Sequence, residues 1–593
     1  MKISDLIASF LAERGIRNVF GVTGGASLHM LSSFSKHKNI KVVYNHHEQA
    51  SAFAADATWR FTQKIGVAVA TSGPGAMNLI PGIASSFFDS VPSLFLTGQV
   101  ATFRSSENMG IRQFGFQETD IVSMVMPIVK YANKVSNYIK ILFELDKALN
   151  IALSGRMGPV LLDIPDDLQR LELSKQEINQ CRKYLEQHRA SVPINWGERI
   201  DHKICASFVE QLITAKKPVV VLGAGADTNV GKLSQIFGEL DIPVIPTWSV
   251  ADRLNFAEKH IIGTAGTHGN RYSNYILQNA DLVIAIGCRL DSHLIGSPPS
   301  EFAPSAYKIV VDIDINELNK FELQGLKVDS LINCPAEIFA EFLSNIKFKL
   351  DKNIIRNNVR EWFSLAQNIK VDLSDNRLRL QKGNETNPYY FIKQLSEYIP
   401  DGSKIICDTG CILAWSMQFM KFSGTTKFIH AFNNTPMGYA IPGAVAAGMA
   451  SDKSDLICLV GDGSFMMNVQ ELATLKLTSS NARIFLINNK GYSMIKQTQE
   501  QWFDGDYFGS DSNDLLFPNY RCIAAAFDYE YVDMKSDADV QTTLEEIFKA
   551  QNHVICNVHV SPESRVIPQL KYGHNLIDME PEVSGELKEK YGL

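Results

Sequence analysis

The sequence lacks the features that usually distinguish secreted, membrane-bound and nucleic-acid-binding proteins. Its nine cysteines are scattered over 593 residues without a CxxC pair, and their odd number argues against a disulfide framework. No uninterrupted apolar run approaches the length that spans a membrane, and the N-terminus lacks the apolar core of a signal peptide. A net charge of −7 provides no broad basic field for nucleic acid, so any recognition of phosphate must be local. We therefore expect a cytoplasmic globular protein with reduced thiols.

The length of the chain and the alternation of its elements predict three α/β domains. A chain of 593 residues is too long for one hydrophobic core, since domains usually hold about 150 residues. Short apolar strands alternate with helical patterns, which indicates doubly wound parallel sheets covered by helices on both faces. The predicted divisions are an N-terminal domain at 1–175, a central domain at 195–345, a third domain at 385–560 and a C-terminal arm at 561–593.

The stretch at 455–499 carries the clearest chemical pattern. A buried strand at 456–460 ends in a GDG turn, and a helical pattern begins at once, with free N–H groups that attract phosphate. A second buried strand at 484–487 ends in two asparagines. Because parallel strands joined by a helix place their carboxyl ends side by side, Asp462 and Asn489 are expected to meet at one edge of the sheet. A carboxylate and an amide oxygen beside a phosphate site suit Mg²⁺.

This strand, turn, helix and strand unit resembles the diphosphate-binding motif of thiamine diphosphate enzymes. The segment GDGSFMMNVQELAT is very close to the acetolactate synthase form of that motif. A lone GDG turn could equally be a helix cap, but the whole unit is present. The resemblance implies that the motif holds thiamine diphosphate and Mg²⁺. The implied metal contacts are Asp462, Asn489 and the Gly491 carbonyl, and the implied cofactor contacts also include Gly461, Gly463, Ser464 and Tyr492.

A glutamate in the N-terminal domain is the candidate for activating the cofactor. Thiamine chemistry needs a carboxylate to protonate the aminopyrimidine, so that its amino group can act as a base on the thiazolium C2 carbon. Glu48 follows an apolar strand at 42–44 and opens a helix, where an isolated glutamate would usually be an ordinary first-turn residue. The tract HEQASAFAADA resembles the HEQAA segment of acetolactate synthases. The resemblance implies the activating role for Glu48, with His46 and His47 as nearby polar lining.

Further tracts of the N-terminal domain resemble acetolactate synthases nearly position for position. They are TSGPGAMNLIPGIASSFFDSVPSLFLTGQV and FQETDIVSMVMPIVKYANKV, whose glycines and proline alone would indicate only tight turns. The resemblance implies a cofactor contact from Ser72 and a catalytic contact from Gln117. Gly24, in VTGGAS, occupies the place of the family's PGG turn, where backbone N–H groups can face developing negative charge on the substrate. Thr23 replaces the proline of that turn.

Two candidates in the third domain also rest on the resemblance. The tract NNTPMGYAIPGAVAAGMA matches the family's GTMGFGLPAA tract, which implies that Met437 supports the cofactor in a bent conformation. Without the resemblance, a methionine in an apolar run indicates core filler. Asp408 opens a DTG segment that resembles the family's DVGQ and implies a cofactor contact. Cys411 replaces the glutamine, a side chain that often contacts the diphosphate.

The central domain resembles a nucleotide-binding domain. The GAGA tract at 223–226 is too short for a dinucleotide fingerprint. The tracts GTAGTHGNRYSN, GCRLD and VVDIDI resemble the flavin-contacting segments of acetolactate synthases, which implies FAD with Arg289 and Asp312 among its contacts. THGN departs from the usual MHGT, and Asp166 stands where the family's IPKD supplies lysine. Altered flavin contact, an adenine nucleotide and a domain without a ligand all stay open.

The resemblance covers about residues 1–560 and implies a homodimer or homotetramer with active sites between subunits. The reaction expected is decarboxylation of a 2-oxo acid, with pyruvate favoured, and ligation of the two-carbon unit to an acceptor carbonyl. In each active site, Glu48 of one chain would serve the cofactor held by Asp462 and Asn489 of another.

One departure from the acetolactate synthase pattern concerns the acceptor substrate. Acetolactate synthases usually carry a tryptophan in the pattern RQWQ, whereas this chain has KQTQ with Thr498 at that place, which should enlarge or re-polarise the pocket. The tract NNKGYSMIKQTQ is closer to acetolactate synthase-like enzymes of cell-surface sugar biosynthesis, some of which transfer an acetyl unit from pyruvate to a nucleotide-linked keto-sugar. That transfer and simple decarboxylation are the alternatives. A non-catalytic homologue is disfavoured because Glu48, Asp462 and Asn489 are all present.

Overall fold

The computed structural model describes residues 1–107, 109–189, 202–347, 351–380, 383–450, 454–479, 481–571 and 573–593. Three separate parallel sheets organise this part of the chain, and helices cover them. The arrangement confirms the predicted doubly wound α/β fold class. The predicted domain boundary at 195 lies outside the described residues. Over the same described ranges, none of the helices combines the length and the apolar character needed to cross a membrane.

The first sheet contains six strands, which are β1 Asn18–Gly21, β2 Lys41–Tyr44, β3 Gly66–Ala70, β4 Ser93–Gln99, β5 Tyr131–Lys134 and β6 Val160–Pro165. Their order across the sheet is β2-β1-β3-β4-β6-β5. The helices are α1 Ile3–Glu13, α2 Leu28–Lys36, α3 Glu48–Thr62, α4 Pro74–Asn78, α5 Ile80–Phe88, α6 Ile121–Val125, α7 Ile141–Leu153, α8 Asp166–Arg170 and α9 Lys175–His188. The central strand β3 is buried along its whole length, because helices lie on both faces of the sheet.

The second sheet contains five strands, which are β7 Pro218–Leu222, β8 Val244–Pro246, β9 Leu282–Ile286, β10 Tyr307–Asp312 and β11 Ser330–Asn333. Their order is β11-β10-β9-β7-β8. The helices that accompany it are α10 His202–Thr214, α11 Val230–Gly238, α12 Arg271–Gln278, α13 Ser292–Ile295, α14 Ile315–Leu323, α15 Ala336–Lys347, α16 Lys352–Asp372 and α17 Asn376–Arg379.

The third sheet contains six strands, which are β12 Lys404–Cys407, β13 Lys427–Ile429, β14 Leu456–Gly461, β15 Ala482–Asn488, β16 Glu530–Met534 and β17 Val554–His559. Their order is β13-β12-β14-β15-β17-β16. The helices are α18 Pro388–Tyr398, α19 Cys411–Phe419, α20 Ala440–Gly448, α21 Asp462–Met467, α22 Glu471–Thr478, α23 Ser493–Trp502, α24 Tyr520–Ala526 and α25 Val540–Lys549.

The sequence predicts one helix after the GDG turn, but the structure has two helices there, α21 and α22. Asn468 interrupts the predicted helix with a backbone φ of −139°, and its side-chain amide donates a hydrogen bond of 2.8 Å to the Gly438 carbonyl. This tertiary contact separates the turn from α22.

The C-terminal arm packs against the central domain. It contains the short strands β18 Gln569–Leu570 and β19 Met579–Glu580, followed by α26 Gly585–Tyr591. The guanidinium group of Arg271, at the start of α12, donates hydrogen bonds to the carbonyls of Met579 and Pro581 at 3.1 and 2.5 Å. Leu576 and Met579 join one of the two cores of the central domain.

The N-terminal and third domains share a hydrophobic core along α3 and α20. Small alanine side chains let the two helices approach closely, and the rings of Phe53 and Tyr439 lie 5.4 Å apart within this core. The Tyr439 hydroxyl donates to Asp56 at 2.6 Å, and Arg60 pairs with Asp56 at 2.7 Å. These buried polar contacts fix how the two sheets face each other.

Candidate active site

The carboxyl ends of β14 and β15 bring Asp462, Asn489 and Gly491 to one edge of the third sheet. The two strands pair in parallel with Gly461 opposite Ile487. The Asp462 carboxylate accepts hydrogen bonds from the backbone N–H groups of Gly463 at 2.8 Å and Gly491 at 3.3 Å. Burial raises the pKa of Asp462 to about 7, although backbone N–H groups, including that of Asn489, favour the ionised form.

The donor set at this edge fits Mg²⁺. Asp462 supplies a carboxylate and Asn489 an amide oxygen, because the Asn489 amide nitrogen already donates to the Ser493 hydroxyl at 2.7 Å. The Gly491 carbonyl is the third predicted ligand, and oxygen ligands of this kind suit a hard divalent cation. A cation here would also compensate the buried charge of Asp462. Across the described ranges, no group of three or more His, Cys, Asp or Glu side chains forms an alternative metal cluster.

The glycines around the GDG turn leave room for a phosphate on one side only. A Cβ atom at Gly461 or at Gly410 would meet no heavy atom within 4 Å, so both positions face open space. At Gly463 a Cβ atom would lie 1.9 Å from Cε1 of Tyr492, so only glycine fits beneath that ring. Tyr492 therefore closes one side of the turn and leaves the other side accessible.

The carboxylate of Asp408 is hydrogen-bonded to neighbouring groups of the protein. Its carboxylate accepts backbone N–H groups from Thr409 at 2.9 Å, Gly438 at 3.1 Å and Ala440 at 2.8 Å, and the Ser464 side chain also bonds it. Burial raises its pKa to about 6. These contacts hold the Asp408 carboxylate in place, and its predicted contact with the cofactor stays a prediction.

Met437 lies in the loop that Asp408 holds. Gly438, the next residue, has a φ of +82°, and a Cβ there would lie 2.6 Å from the Met467 Cβ. Met437 itself is half-buried and belongs to none of the core clusters formed by the described residues. This exposure is unlike that of core filler, and the predicted cofactor contact of Met437 stays a prediction.

Replacing Asp408 by alanine is expected to lower the free energy of unfolding by about 2–5 kcal/mol, because buried N–H groups would lose their acceptor. The variant Asp401→Ala is the control, since Asp401 is an exposed residue of the same domain. Urea unfolding followed by circular dichroism measures both. Equal midpoints for the two variants would contradict the anchoring role of Asp408.

Glu48 is the first residue of α3 and lies against α4, the short helix that follows β3. Its Oε2 accepts a hydrogen bond of 3.0 Å from the Asn78 side-chain amide. A Cβ at Gly75 would lie 3.2 Å from the Glu48 Oε1. The side chain is half-buried, so it is held by the protein and still open to a ligand.

The predicted residues Gly24, Ser72 and Gln117 border the same edge of the first sheet as Glu48. A Cβ at Gly24 would lie 2.5 Å from the Thr71 Cβ, so the loop after β1 packs directly on the turn after β3. A Cβ at Gly73 would lie 3.0 Å from the Gln117 Cβ. Gln117 has a φ of 60°, a backbone conformation that is unusual for a residue other than glycine and is often found at functional sites. Ser72 is buried between these contacts.

Glu118 organises the loop that carries Gln117. Its carboxylate accepts backbone N–H groups from Ser106 at 2.6 Å, Phe114 at 2.9 Å and Gly115 at 3.2 Å. Burial alone would raise the pKa of Glu118, but these hydrogen bonds lower it to about 2. The sequence does not predict this role for Glu118, and the one signal for it is an acidic residue beside the candidate Gln117.

The edges of the first and third sheets meet through Glu471, the second residue that the sequence reasoning missed. Its carboxylate accepts the Asn45 side-chain amide at 2.9 Å and the backbone N–H groups of His46 and His47 at 2.9 and 3.1 Å. Among the described residues, however, no hydrogen bond or ion pair joins Glu48 to Asp462. His46 is exposed. The ring of His47 accepts a hydrogen bond of 3.1 Å from the backbone N–H of Gln49, and this bond caps the start of α3.

The KQTQ tract lies on α23. The Gln497 side chain exchanges two hydrogen bonds with the backbone of Val566, at 3.1 and 3.2 Å. Gln499 bonds the Phe508 carbonyl at 2.9 Å and the Ser510 hydroxyl at 2.6 Å. The Thr498 hydroxyl donates to a carbonyl one turn earlier in its own helix, at 3.2 Å. Thr498 therefore creates space relative to an indole ring, while its hydroxyl already has a partner.

A cavity of about 450 Å³ lies between the three domains, at the carboxyl ends of β9 and β10. Its walls include the predicted residues Arg289 and Asp312, together with Arg156. Arg156 pairs with Asp314 at 3.2 Å and with Glu317 at 2.7 Å. The Arg289 Nε is buried and lies 4.0 Å from the Glu317 carboxylate, but it has no hydrogen-bond partner, so it could donate to an anionic ligand such as a nucleotide.

Comparison with known proteins shows which family of enzymes the chain resembles. Three family models match the chain: the N-terminal TPP binding domain of thiamine pyrophosphate enzymes at residues 1–124, the central domain at 205–328, and the C-terminal TPP binding domain at 408–558. Thiamine pyrophosphate is another name for thiamine diphosphate. The three sheets and the glycine-rich edge with Asp462 thus define a thiamine diphosphate-dependent enzyme.

Its relatives identify the branch of that class. The chain is 30% identical to the acetolactate synthase large subunit of Cyanidium caldarium, over 96% of this chain and 94% of the relative. Identity is 29% with the acetolactate synthase isozyme 1 large subunit of Escherichia coli strain K12, over 96% of both chains. It is 28% with the acetolactate synthase large subunit of Lactococcus lactis subsp. lactis strain IL1403, over 96% of this chain and 94% of the relative. The chain belongs to the acetolactate synthase-like family, which confirms the predicted family and its thiamine cofactor.

Proposed function

We propose that the enzyme uses thiamine diphosphate and Mg²⁺ to decarboxylate a 2-oxo acid, with pyruvate as donor, and adds the two-carbon unit to an acceptor carbonyl. The observation that carries the proposal is the convergence of Asp462, Asn489 and Gly491 at one sheet edge. When bound, the cofactor supplies a carbon nucleophile that attacks the 2-oxo carbonyl.

The protein's own residues would position the cofactor and transfer a proton to and from it. Asp462, Asn489 and the Gly491 carbonyl would hold Mg²⁺, while N–H groups of the GDG turn would bind the diphosphate. Glu48, held by Asn78, would donate and recover a proton at the aminopyrimidine.

The substrate end of the site would be formed by loops of the first sheet. The backbone N–H of Gly24 and the side chain of Gln117 would face the oxygen on which negative charge develops. Met437 would support the ring system from the loop that Asp408 anchors.

Two acceptors are considered for the ligation step. A second pyruvate would give acetolactate, as the names of the relatives suggest. A nucleotide-linked keto-sugar is favoured by a specific observation, the replacement of tryptophan by Thr498, whose smaller side chain leaves room for a larger acceptor.

Product analysis separates these reactions. Purified enzyme is incubated with pyruvate, thiamine diphosphate and Mg²⁺, with and without candidate keto-sugars. Acetolactate alone would support pyruvate as acceptor, and a branched sugar would support the keto-sugar. Acetaldehyde as the sole product would overturn ligation as the main function.

We propose that the enzyme is a homodimer or homotetramer with active sites between subunits. The loop before Gln117 exposes several large apolar side chains, and Phe116 is 85% exposed. Other members of this patch are Phe103, Met109, Ile111 and Phe114. Exposed apolar patches commonly mark interfaces. Sedimentation analysis of the active enzyme tests the proposal, and full activity in a monomer would contradict it.

We propose FAD as the ligand of the cavity between the three domains. The cavity volume lies in the range of small-molecule sites, and the buried Arg289 Nε needs an acceptor. An absorption spectrum of the purified protein should show flavin, and denaturation should release it. An adenine nucleotide, or no nucleotide, in the denatured extract would contradict FAD. The cytoplasmic location stays a prediction from the sequence.

A further inference from the structure

Four polar residues of α23 are buried, which are Ser493, Lys496, Gln497 and Gln499, and Lys496 has no hydrogen-bond or ion-pair partner among the described residues. Gln497 and Gln499 use their side-chain amides in hydrogen bonds to the backbone and to Ser510. Lys496 is only 5% exposed. Within the part of the chain that the structure describes, its ammonium group has neither a hydrogen-bond acceptor nor an ion-pair partner. The ammonium nitrogen is not one of the fully buried polar atoms among the described residues, so the stem of Lys496 is buried while its charge stays accessible to a ligand.

The Lys496 side chain lies beside the proposed metal edge. Its Cε is 3.3 Å from the position that a Cβ would occupy at Gly491. The N–H of Gly491 bonds the Asp462 carboxylate at 3.3 Å. On the other side, the Lys496 Nζ lies 5.5 Å from the centroid of the Tyr507 ring, which offers a weak cation–π contact.

The carboxylate of Glu500 acts electrostatically on Lys496, but its hydrogen bonds go to other groups. Glu500, one turn further along α23, accepts hydrogen bonds from the Arg565 Nε at 3.0 Å and from the Tyr507 hydroxyl at 2.5 Å. The hydrogen bond from Arg565 is the main cause of the lowered pKa of Glu500. Glu563, which is 3.8 Å from Arg565, has a side chain that is 83% exposed. Glu500 is therefore held by Arg565 and Tyr507, and among the described residues it makes no hydrogen bond or ion pair with Lys496.

We propose that Lys496 binds a phosphate group of a ligand in the active site. An ammonium group is a compact charge with three donors, which suits phosphate oxygens. The phosphate belongs either to the diphosphate of the cofactor or to a nucleotide-linked acceptor, and this inference rests on the proposed function. The contrasting possibility is that the stem of Lys496 is buried while its ammonium group is merely hydrated.

Binding measurements without turnover test the proposal. Thiamine diphosphate, thiamine monophosphate and uridine diphosphate, each with Mg²⁺, are titrated into wild type, Lys496→Met and Lys496→Arg by calorimetry. We expect Lys496→Met to weaken binding of one diphosphate about tenfold to a hundredfold and Lys496→Arg to retain most of it. The control Lys549→Met, which removes an exposed lysine of the same domain, should bind like wild type.

The pattern of loss identifies the source of the phosphate. Weaker binding of thiamine diphosphate, with thiamine monophosphate affected less, assigns Lys496 to the cofactor. Unchanged cofactor binding with weaker uridine diphosphate binding assigns it to the acceptor. Lys496→Gln, which keeps a polar side chain, replaces the methionine variant if that variant does not fold.

Wild-type affinity for thiamine diphosphate in the Lys496 variants, together with unchanged or absent uridine diphosphate binding, would overturn the proposal. This outcome is distinct from failure of the proposed function. A wild-type enzyme that binds thiamine diphosphate but consumes no pyruvate would refute the reaction, whereas the binding data would still decide the role of Lys496.

Discussion

Glu48→Gln is expected to reduce pyruvate turnover by about a hundredfold to ten-thousandfold, the usual contribution of a positioned acid or base. Glutamine keeps the size of the side chain and can still accept the hydrogen bond from Asn78. It cannot supply or recover a proton at the aminopyrimidine. Steady-state rates give the loss of turnover, and calorimetric titration should show that thiamine diphosphate still binds.

Glu13→Gln provides the control for this change, because Glu13 is an exposed glutamate of the same domain. Its turnover and cofactor affinity should equal those of wild type. Wild-type turnover in Glu48→Gln would remove Glu48 from the mechanism. Loss of cofactor binding in that variant would instead make Glu48 a binding residue.

Asp462→Asn is expected to weaken Mg²⁺-dependent binding of thiamine diphosphate by about a hundredfold or more. The change removes the single carboxylate of the proposed metal set. It also replaces one carboxylate oxygen by an amide nitrogen. The backbone N–H of Gly463 or Gly491 would then face another donor instead of an acceptor. Titration of the cofactor at several Mg²⁺ concentrations measures the effect.

The exposed residue Asp401 again offers a matched control, since Asp401→Asn makes the same chemical change in the same domain. Circular dichroism establishes that both variants are folded. If Asp462→Asn bound the cofactor with the Mg²⁺ dependence of wild type, Asp462 would not be a metal ligand.

The central strands of each sheet could be predicted because their continuous apolar runs indicate that they are buried. Runs such as 456–460 are continuously apolar, as strands covered on both faces must be. The edge strands β5 and β8 have no such apolar run. The first is a polar four-residue segment that is only half-buried, and the second has three residues. Such strands are defined by their neighbours rather than by their own composition.

Part of the candidate site followed from topology. Once β14 and β15 were expected to be parallel neighbours, residues just beyond their ends had to share an edge, and Asp462 and Asn489 do. The partners of these residues could not be deduced in the same way. Glu471 bonds Asn45 across a separation of 426 residues, and no local pattern indicates such a pair.

The individual roles of Asp408 and Lys496 required the structure for the same reason. The Asp408 carboxylate accepts backbone N–H groups of Gly438 and Ala440, which the DTG segment alone does not indicate. Lys496 was visible only as one letter of the KQTQ tract. Its significance depends on the fact that Glu500 is already bonded to Arg565.

The most direct test is the release of CO₂ from pyruvate by the purified wild-type enzyme, measured together with the ligated product. We predict that release requires both thiamine diphosphate and Mg²⁺ and that a new carbon–carbon bond forms for each CO₂ released. When pyruvate is also the acceptor, two molecules of pyruvate disappear for each CO₂. A protein that binds thiamine diphosphate and Mg²⁺ but releases no CO₂ from pyruvate, with or without a keto-sugar acceptor, would contradict the proposed reaction.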